Sequence, residues 1–231
     1  MTIKAILFDL DGTLLNTLDD LADSANQALA AFGLPPRPVD DYRLMVGAGA
    51  RNLILRTVSN ASGLPQDQIA EQMVKEMLAV FSQEYARNWA VKTRPYPGVR
   101  ELLDKLRAAG LQLAVLSNKP DDFTQAIMAH FFQPEEFVVV AGKLPDWPIK
   151  PDPALALELC RQMGAIPGEM ALVGDSGSDM ETAVRAGMLP VGVLWGFRDE
   201  AEMTGAGAVW LAETPASLGD FLLSQARPNH D

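Results

Sequence analysis

Two rhythms of apolar residues run along this chain. Short apolar runs at Ile3 to Phe8, Leu113 to Leu116 and Met170 to Val173 are strand-length and read as buried parallel strands. Other stretches repeat at helical spacing. Leu18, Leu21, Ala25, Leu29 and Phe32 share a face of a helix over 16–33, and Val99, Leu102, Leu103 and Leu106 share one over 99–109. Gly33 and Gly110 supply the stops. From Val39 to Ala90 the pattern is helical throughout, with no strand. Strands at 111–116, 137–140, 170–174 and 190–194 then alternate with helices at 121–131, 153–163 and 179–186. A short strand near 208–211 and a helix near 216–226 close the series.

Such alternation argues an α/β fold. The crossover from the first strand to the second takes about 80 residues, against the 10–12 or more that a βαβ connection needs, so an inserted helical domain is expected. Leu34-Pro35-Pro36-Arg37-Pro38 is a stiff linker, and Arg94-Pro95-Tyr96-Pro97-Gly98 breaks the chain before the pattern resumes. The expected division is 1–15 with 93–231 as a Rossmann-like parallel-sheet core, and 16–92 as the inserted helical domain.

Composition narrows the function classes. The 231 residues are 48% hydrophobic, enough for a sizeable core in one or two domains. A net charge of −11 argues against nucleic-acid and anionic-membrane partners, which attract basic faces. Cys160, the single cysteine, excludes an internal disulfide and reads as a buried inert thiol. No apolar run approaches a membrane span, and no signal peptide is expected, because Asp9 interrupts the first apolar run. A cytoplasmic enzyme, monomer or homodimer, is the expectation.

Candidate chemistry gathers where strands end. Asp9-Leu10-Asp11-Gly12-Thr13 follows the first strand, and in open α/β sheets ligands collect at that edge. An aspartate so placed can form an aspartyl-phosphate; the plainer reading is an Asp-Gly turn. Ser117-Asn118-Lys119 follows the second strand, where a strand-to-helix cap is the alternative. Lys150-Pro151-Asp152-Pro153 precedes a helix, with Asp152 read as its N-cap and Pro153 as its first residue. Gly174-Asp175-Ser176-Gly177-Ser178-Asp179 follows the third apolar run.

In this order and spacing the four motifs resemble those of the haloacid dehalogenase-like hydrolases, most nearly the phosphoglycolate phosphatase branch. The resemblance runs from Asp9 to the Gly192–Phe197 segment. It implies a Rossmann-like core with a helical cap after the first motif. Asp9 would attack phosphorus. Asp11 would protonate the leaving oxygen and then deprotonate the hydrolytic water. Mg²⁺ would be held by the Asp9 carboxylate, the Asp11 backbone carbonyl and Asp175. Asp179 would reach the metal through a water or orient a neighbouring ligand, and its other reading is a helix N-terminal charge. Ser117 and Lys150 would bind the phosphoryl group, Thr13 would contact substrate, Asn118 would contact the nucleophile loop or substrate, and Ser176 would be accessory. Within Val46-Gly47-Ala48-Gly49-Ala50-Arg51, Gly47 would permit close approach and Arg51 would meet a substrate carboxylate. A solvent-facing arginine at a helix start is the other reading of Arg51. Trp195 and Phe197 read as packing residues. Asn16 stands where many close relatives carry a carboxylate.

Charge supports the assembly. Asp9, Asp11, Asp175 and Asp179 would repel a phosphate dianion without Mg²⁺ and Lys150. The expected activity is hydrolysis of a small phosphorylated metabolite, 2-phosphoglycolate foremost. A sugar phosphomutase resembling β-phosphoglucomutase is the rival, and a phosphonatase would need a Schiff-base lysine such as Lys75. Asp11 disfavours a dehalogenase. A receiver-type signalling module would be about half this length.

Overall fold

The structure, a computed structural model, describes residues 2–226. The described chain divides into two compact units, with boundaries after Leu15 and after Arg94. The return boundary is two residues beyond position 92 because the Lys92 and Thr93 backbone N–H groups bond to Asp20 and stay with the inserted unit.

The first unit is built on a six-stranded parallel sheet: β1 (Ala5–Phe8), β4 (Gln112–Pro120), β5 (Val139–Lys143), β6 (Met170–Gly174), β7 (Leu189–Val193) and β8 (Trp210–Ala212), in the order β5-β4-β1-β6-β7-β8. Two further two-residue strands, β2 (Leu15–Asn16) and β3 (Arg94–Pro95), pair with each other at the unit boundaries. All four residues of β1 are buried, as befits a central strand covered on both faces. Helices α4 (Val99–Ala108), α5 (Asp121–Phe131), α6 (Ala154–Gln162), α7 (Gly177–Ala186), α8 (Glu200–Gly205) and α9 (Pro215–Ala226) complete this unit. A core of Leu7, Leu116, Leu155, Leu159, Met170 and Leu172 fixes α6 against the sheet.

Strand order decides where chemistry can sit. The chain steps from β1 to β4 and β5 on one side, then reverses to β6 on the other side of β1. The C-terminal end of β1 is therefore the topological switch point, where open α/β sheets leave a crevice. Register sets Phe8 level with Val115 and Val173, so Asp9 emerges between the ends of β4 and β6.

The inserted unit contains α1 (Leu18–Ala31), α2 (Ala50–Ser62) and α3 (Glu71–Asn88), with short 3-10 turns between them. α1 buries Leu21, Ala25 and Leu29, and α3 buries Met77, Phe81 and Tyr85.

Several boundaries differ from the sequence expectation. β4 runs on through Pro120, so Ser117 and Asn118 lie within a strand rather than at a helix cap. Pro153, not Asp152, is the N-cap of α6, and Ala154 is its first residue. Asp152 still contributes, accepting from the Ala154 N–H at 2.9 Å. α7 begins at Gly177 rather than 179, because Ser176 and Asp179 form a reciprocal capping box. α8 was not expected from apolar periodicity; it is six residues long, and Asp199 caps it by accepting from the Glu202 N–H at 2.9 Å.

Candidate active site

β1 delivers Asp9 into the switch-point crevice, and the Asp9 N–H donates to the Val173 carbonyl at 2.8 Å. Gly12, at φ 88°, turns the chain where a Cβ would overlap the Asp175 carboxylate. Gly196 approaches Asp175 from the other side, and a Cβ there would also overlap it. The Phe197 N–H donates to Asp175 Oδ2 at 2.7 Å, and the Trp195 indole donates to the Thr13 carbonyl at 3.0 Å. Residues 195–197 thus brace the Asp175 carboxylate and the Asp9–Thr13 turn, beyond the packing role expected of Trp195 and Phe197. Thr13 Oγ1 is buried with no hydrogen-bond partner among the described residues.

Lys150 is the hub of the buried charges. Its Nζ lies 2.8 Å from Asp9 Oδ1 and 2.6 Å from Asp179 Oδ1, and donates to the Leu116 carbonyl at 2.9 Å. Asn118 fixes this lysine's backbone reciprocally: its Oδ1 accepts from the Lys150 N–H at 2.8 Å, and its Nδ2 donates to the Lys150 carbonyl at 3.0 Å. Asn118, placed with substrate contacts from its motif, is thus engaged by the approach loop. Ser117 is buried beside it, and its Oγ accepts from the Lys119 N–H at 3.3 Å. Asp179 Oδ2 accepts from Ser176 Oγ at 2.5 Å and from the Ser176 N–H at 3.1 Å. Asp179 therefore serves both as a helix-start residue and as a member of the ionic cluster.

A second lysine enters the site without having been singled out from the sequence. Lys119 Nζ donates to both oxygens of Asp11 at 3.0 Å. Lys119 stands two residues beyond Ser117 in the same motif, and it lies in β4 because that strand runs on, through a register shift after Leu116, to Pro120.

Burial pushes the Asp9 carboxyl up to about 7, with the Asp179 charge adding to the rise and Lys150 opposing it. Asp175 is raised well above the ordinary carboxylate range, first by burial and then by Asp9 and Asp179. For Lys150 burial acts downward, but Asp179 and Asp9 outweigh it and the shift is upward. The cluster is short of positive charge. Asp9, Asp175 and Asp179 each offer a carboxylate oxygen within 4.8 Å of the others. Such a set of hard oxygen donors suits a divalent cation of the magnesium kind.

In the inserted unit, Gly47 lies half-buried before α2, and Arg51 in its first turn is exposed and ion-paired with Glu71 of α3. Asn16 Oδ1 accepts from the Leu18 N–H at 3.2 Å at the start of α1. Lys75 is exposed on α3, without the desolvated pocket that activates a Schiff-base lysine. Cys160 is buried, with its thiol raised by burial.

Residues 3–187 match the family model described as haloacid dehalogenase-like hydrolase. The chain belongs to the haloacid dehalogenase-like hydrolases, in their phosphoglycolate phosphatase-like branch. Within that branch its activity class is that of a phosphatase. It is 37% identical over 215 residues to a phosphoglycolate phosphatase of Haemophilus influenzae, covering 93% of this chain and 96% of the relative. It is 32% identical over 232 residues to one from Psychrobacter arcticus, covering 100% of both. A crystal structure of a predicted phosphoglycolate phosphatase from Haemophilus somnus superposes with a TM-score of 0.87 at 34% identity, covering 96% of this chain and 98% of that one. Among the described residues no helix is long and apolar enough to cross a membrane.

Proposed function

We propose that this protein is a cytoplasmic, Mg²⁺-dependent phosphatase that hydrolyses 2-phosphoglycolate through an aspartyl-phosphate on Asp9. The observation that carries the reading is the pairing of two aspartates with two different lysines at the switch point: Asp9 with Lys150 and Asp11 with Lys119. That arrangement separates a nucleophile from a proton carrier on one turn. The phosphoglycolate phosphatases among the relatives support the substrate.

Asp9 attacks phosphorus and carries the phosphoryl group, so that one difficult displacement becomes two. Asp11 gives a proton to the leaving oxygen, then takes one from the water that cleaves the acyl-phosphate. Lys150 neutralises charge that the phosphoryl oxygens bring to a buried site, Ser117 and Thr13 offer hydroxyls to substrate, and Asn118 borders it while holding the Lys150 backbone. Asp9, Asp175, Asp179 and the Asp11 backbone carbonyl would hold Mg²⁺, with Asp179 acting through a water or a neighbouring ligand. When bound, the ion supplies positive charge to the phosphoryl group. Residues 16–92 serve as the cap, in which Gly47 and Arg51 recognise the substrate carboxylate.

The test is turnover of 2-phosphoglycolate against a panel of phosphate esters with Mg²⁺, with Asp9→Asn as control. Selective release of phosphate from 2-phosphoglycolate is expected, abolished by excess chelator and by Asp9→Asn. Asp9-dependent release from another ester alone would move the substrate; full activity in chelator would overturn the metal.

A further inference from the structure

We propose that Lys119 is a positioning residue that aims the Asp11 carboxylate at its proton-transfer partners. The inference rests on the reading of Asp11 as proton carrier, and adds to it a residue that the four motifs leave without a task.

Geometry carries it. The Lys119 ammonium stands 3.0 Å from each Asp11 oxygen, so it bisects the carboxylate and fixes the direction of both lone-pair edges. The Lys119 side chain is 3% exposed and that of Asp11 12%, so the pair is shielded from the water and salt that weaken surface ion pairs. Lys119 belongs to β4, and its N–H donates to Ser117 Oγ at 3.3 Å. A sheet strand therefore sets the ammonium, and the ammonium sets the Asp11 carboxylate, which sits on the turn that follows β1. Functional groups on rigid elements are held more precisely than groups on loops. Lys150 has no part in this pair: its ammonium is engaged by Asp9, Asp179 and the Leu116 carbonyl. The two lysines thus divide the two aspartates.

A proton carrier is most exposed to misplacement when it must act as a base on water, since water is held by few contacts. 4-Nitrophenyl phosphate isolates that step. Its leaving group departs without needing a proton, so formation of the aspartyl-phosphate is spared, whereas its hydrolysis still requires Asp11.

The experiment is rapid-mixing of the full-length protein with 4-nitrophenyl phosphate and Mg²⁺, comparing Lys119→Met, Lys119→Arg and Asp11→Asn with the unsubstituted chain. Lys119→Met is expected to release about one equivalent of nitrophenolate quickly and then turn over slowly. The ratio of burst rate to steady-state rate should rise at least about tenfold, within the range general base catalysis commands. Lys119→Arg, which keeps the cation, should recover most of the steady-state rate. The proposal is overturned if Asp11→Asn shows this signature while both Lys119 variants fall equally in burst and steady state, or do not fall. If Asp11→Asn itself lacks the signature, the proton-carrier reading fails first and the role of Lys119 falls with it. Lys119→Arg keeps the test decisive should Lys119→Met not fold.

Discussion

Both units take aspartates out of water, and the most deeply buried one in each is treated differently. Asp179 in the core and Asp20 in the inserted unit are 0% and 1% exposed. Asp179 is met by the Lys150 ammonium at 2.6 Å and by the Ser176 hydroxyl and N–H. Asp20 is met by neutral donors: the Lys92 N–H at 2.9 and 3.0 Å, and the Thr93 N–H and hydroxyl, each at 2.8 Å. The cation at Asp179 is shared with Asp9, and Asp175 crowds the same space. Negative charge therefore remains in surplus there, ready for a cation and for chemistry. The Asp20 carboxylate has its donors, and the Lys92 ammonium, paired with Asp23, feels its charge from nearby. The lesson is that burial of a charge marks function only where the local charge count is left unbalanced; where neutral donors satisfy it, the same burial ties chain segments together.

The sharpest break of this comparison is Lys150→Met. It leaves Asp9 and Asp179 buried without their common cation, and breaking one partner of a buried pair costs about 3–5 kcal/mol. Asp9, already pushed up to about 7 by burial, would also lose the cation that opposes that rise. Phosphatase turnover should fall by at least about 10²-fold, the loss typical when a preorganised electrostatic contact is removed. Urea denaturation and steady-state assays of the same preparation check both effects. A variant that lost activity with an unchanged midpoint would show that the lysine acts on substrate alone.

These contrasts were unevenly legible in the sequence. Asp9, Asp11, Ser117, Asp175 and Asp179 stood in motifs at strand ends and Lys150 in one before a helix, and the strand order brings those ends to one crevice because β1 lies between β4 and β6. Local spacing sufficed there. Lys119 was hidden by the end of β4: a strand stopping at 116 leaves it in a loop, whereas β4 runs on to Pro120 through a register shift that apolar spacing does not foretell. Asp20 was hidden for a different reason. It reads as an ordinary acidic residue in a first helical turn, and its partners lie 72 and 73 positions away. The Phe197 N–H on Asp175 was equally invisible, since a backbone donor carries no side-chain signature. α8 was short enough to escape apolar periodicity, and Glu202 within it accepts from the Gly177 N–H at 2.9 Å.

Asp20→Ala tests the other half of the comparison and should cost less turnover. Thr93 is fully buried, so its N–H and hydroxyl would lose their acceptor with no water to replace it. Leaving buried donors unsatisfied costs about 1–3 kcal/mol each, so the two Thr93 donors set an expected loss of about 2–6 kcal/mol, toward the lower end if the hydroxyl turns to another acceptor, while Lys92 can turn to solvent. Amide hydrogen exchange at Lys92 and Thr93 should accelerate before that of the helices. Asp20→Asn, which keeps one acceptor oxygen, should retain part of the protection. Equal acceleration across α1 and α3 would mean that Asp20 supports the whole inserted unit rather than the return segment.

Arg51→Ala should have the smallest effect, and it separates a surface pair from a recognition contact. Arg51 and Glu71 are both about half exposed, with side-chain exposures of 48% and 52%, so water and salt replace their attraction at little cost. The denaturation midpoint should not move. If Arg51 meets the substrate carboxylate, KM for 2-phosphoglycolate should rise about threefold to tenfold, the worth of one solvent-exposed charged hydrogen bond. KM for a phosphate ester without a carboxylate should stay constant, as should kcat for both. A Glu71→Gln variant sharpens the result: releasing Arg51 from its partner should lower KM for the carboxylated substrate if the arginine is shared between the two. An equal rise in KM for both esters on Arg51→Ala would remove Arg51 from carboxylate recognition and return it to the solvated face of α2.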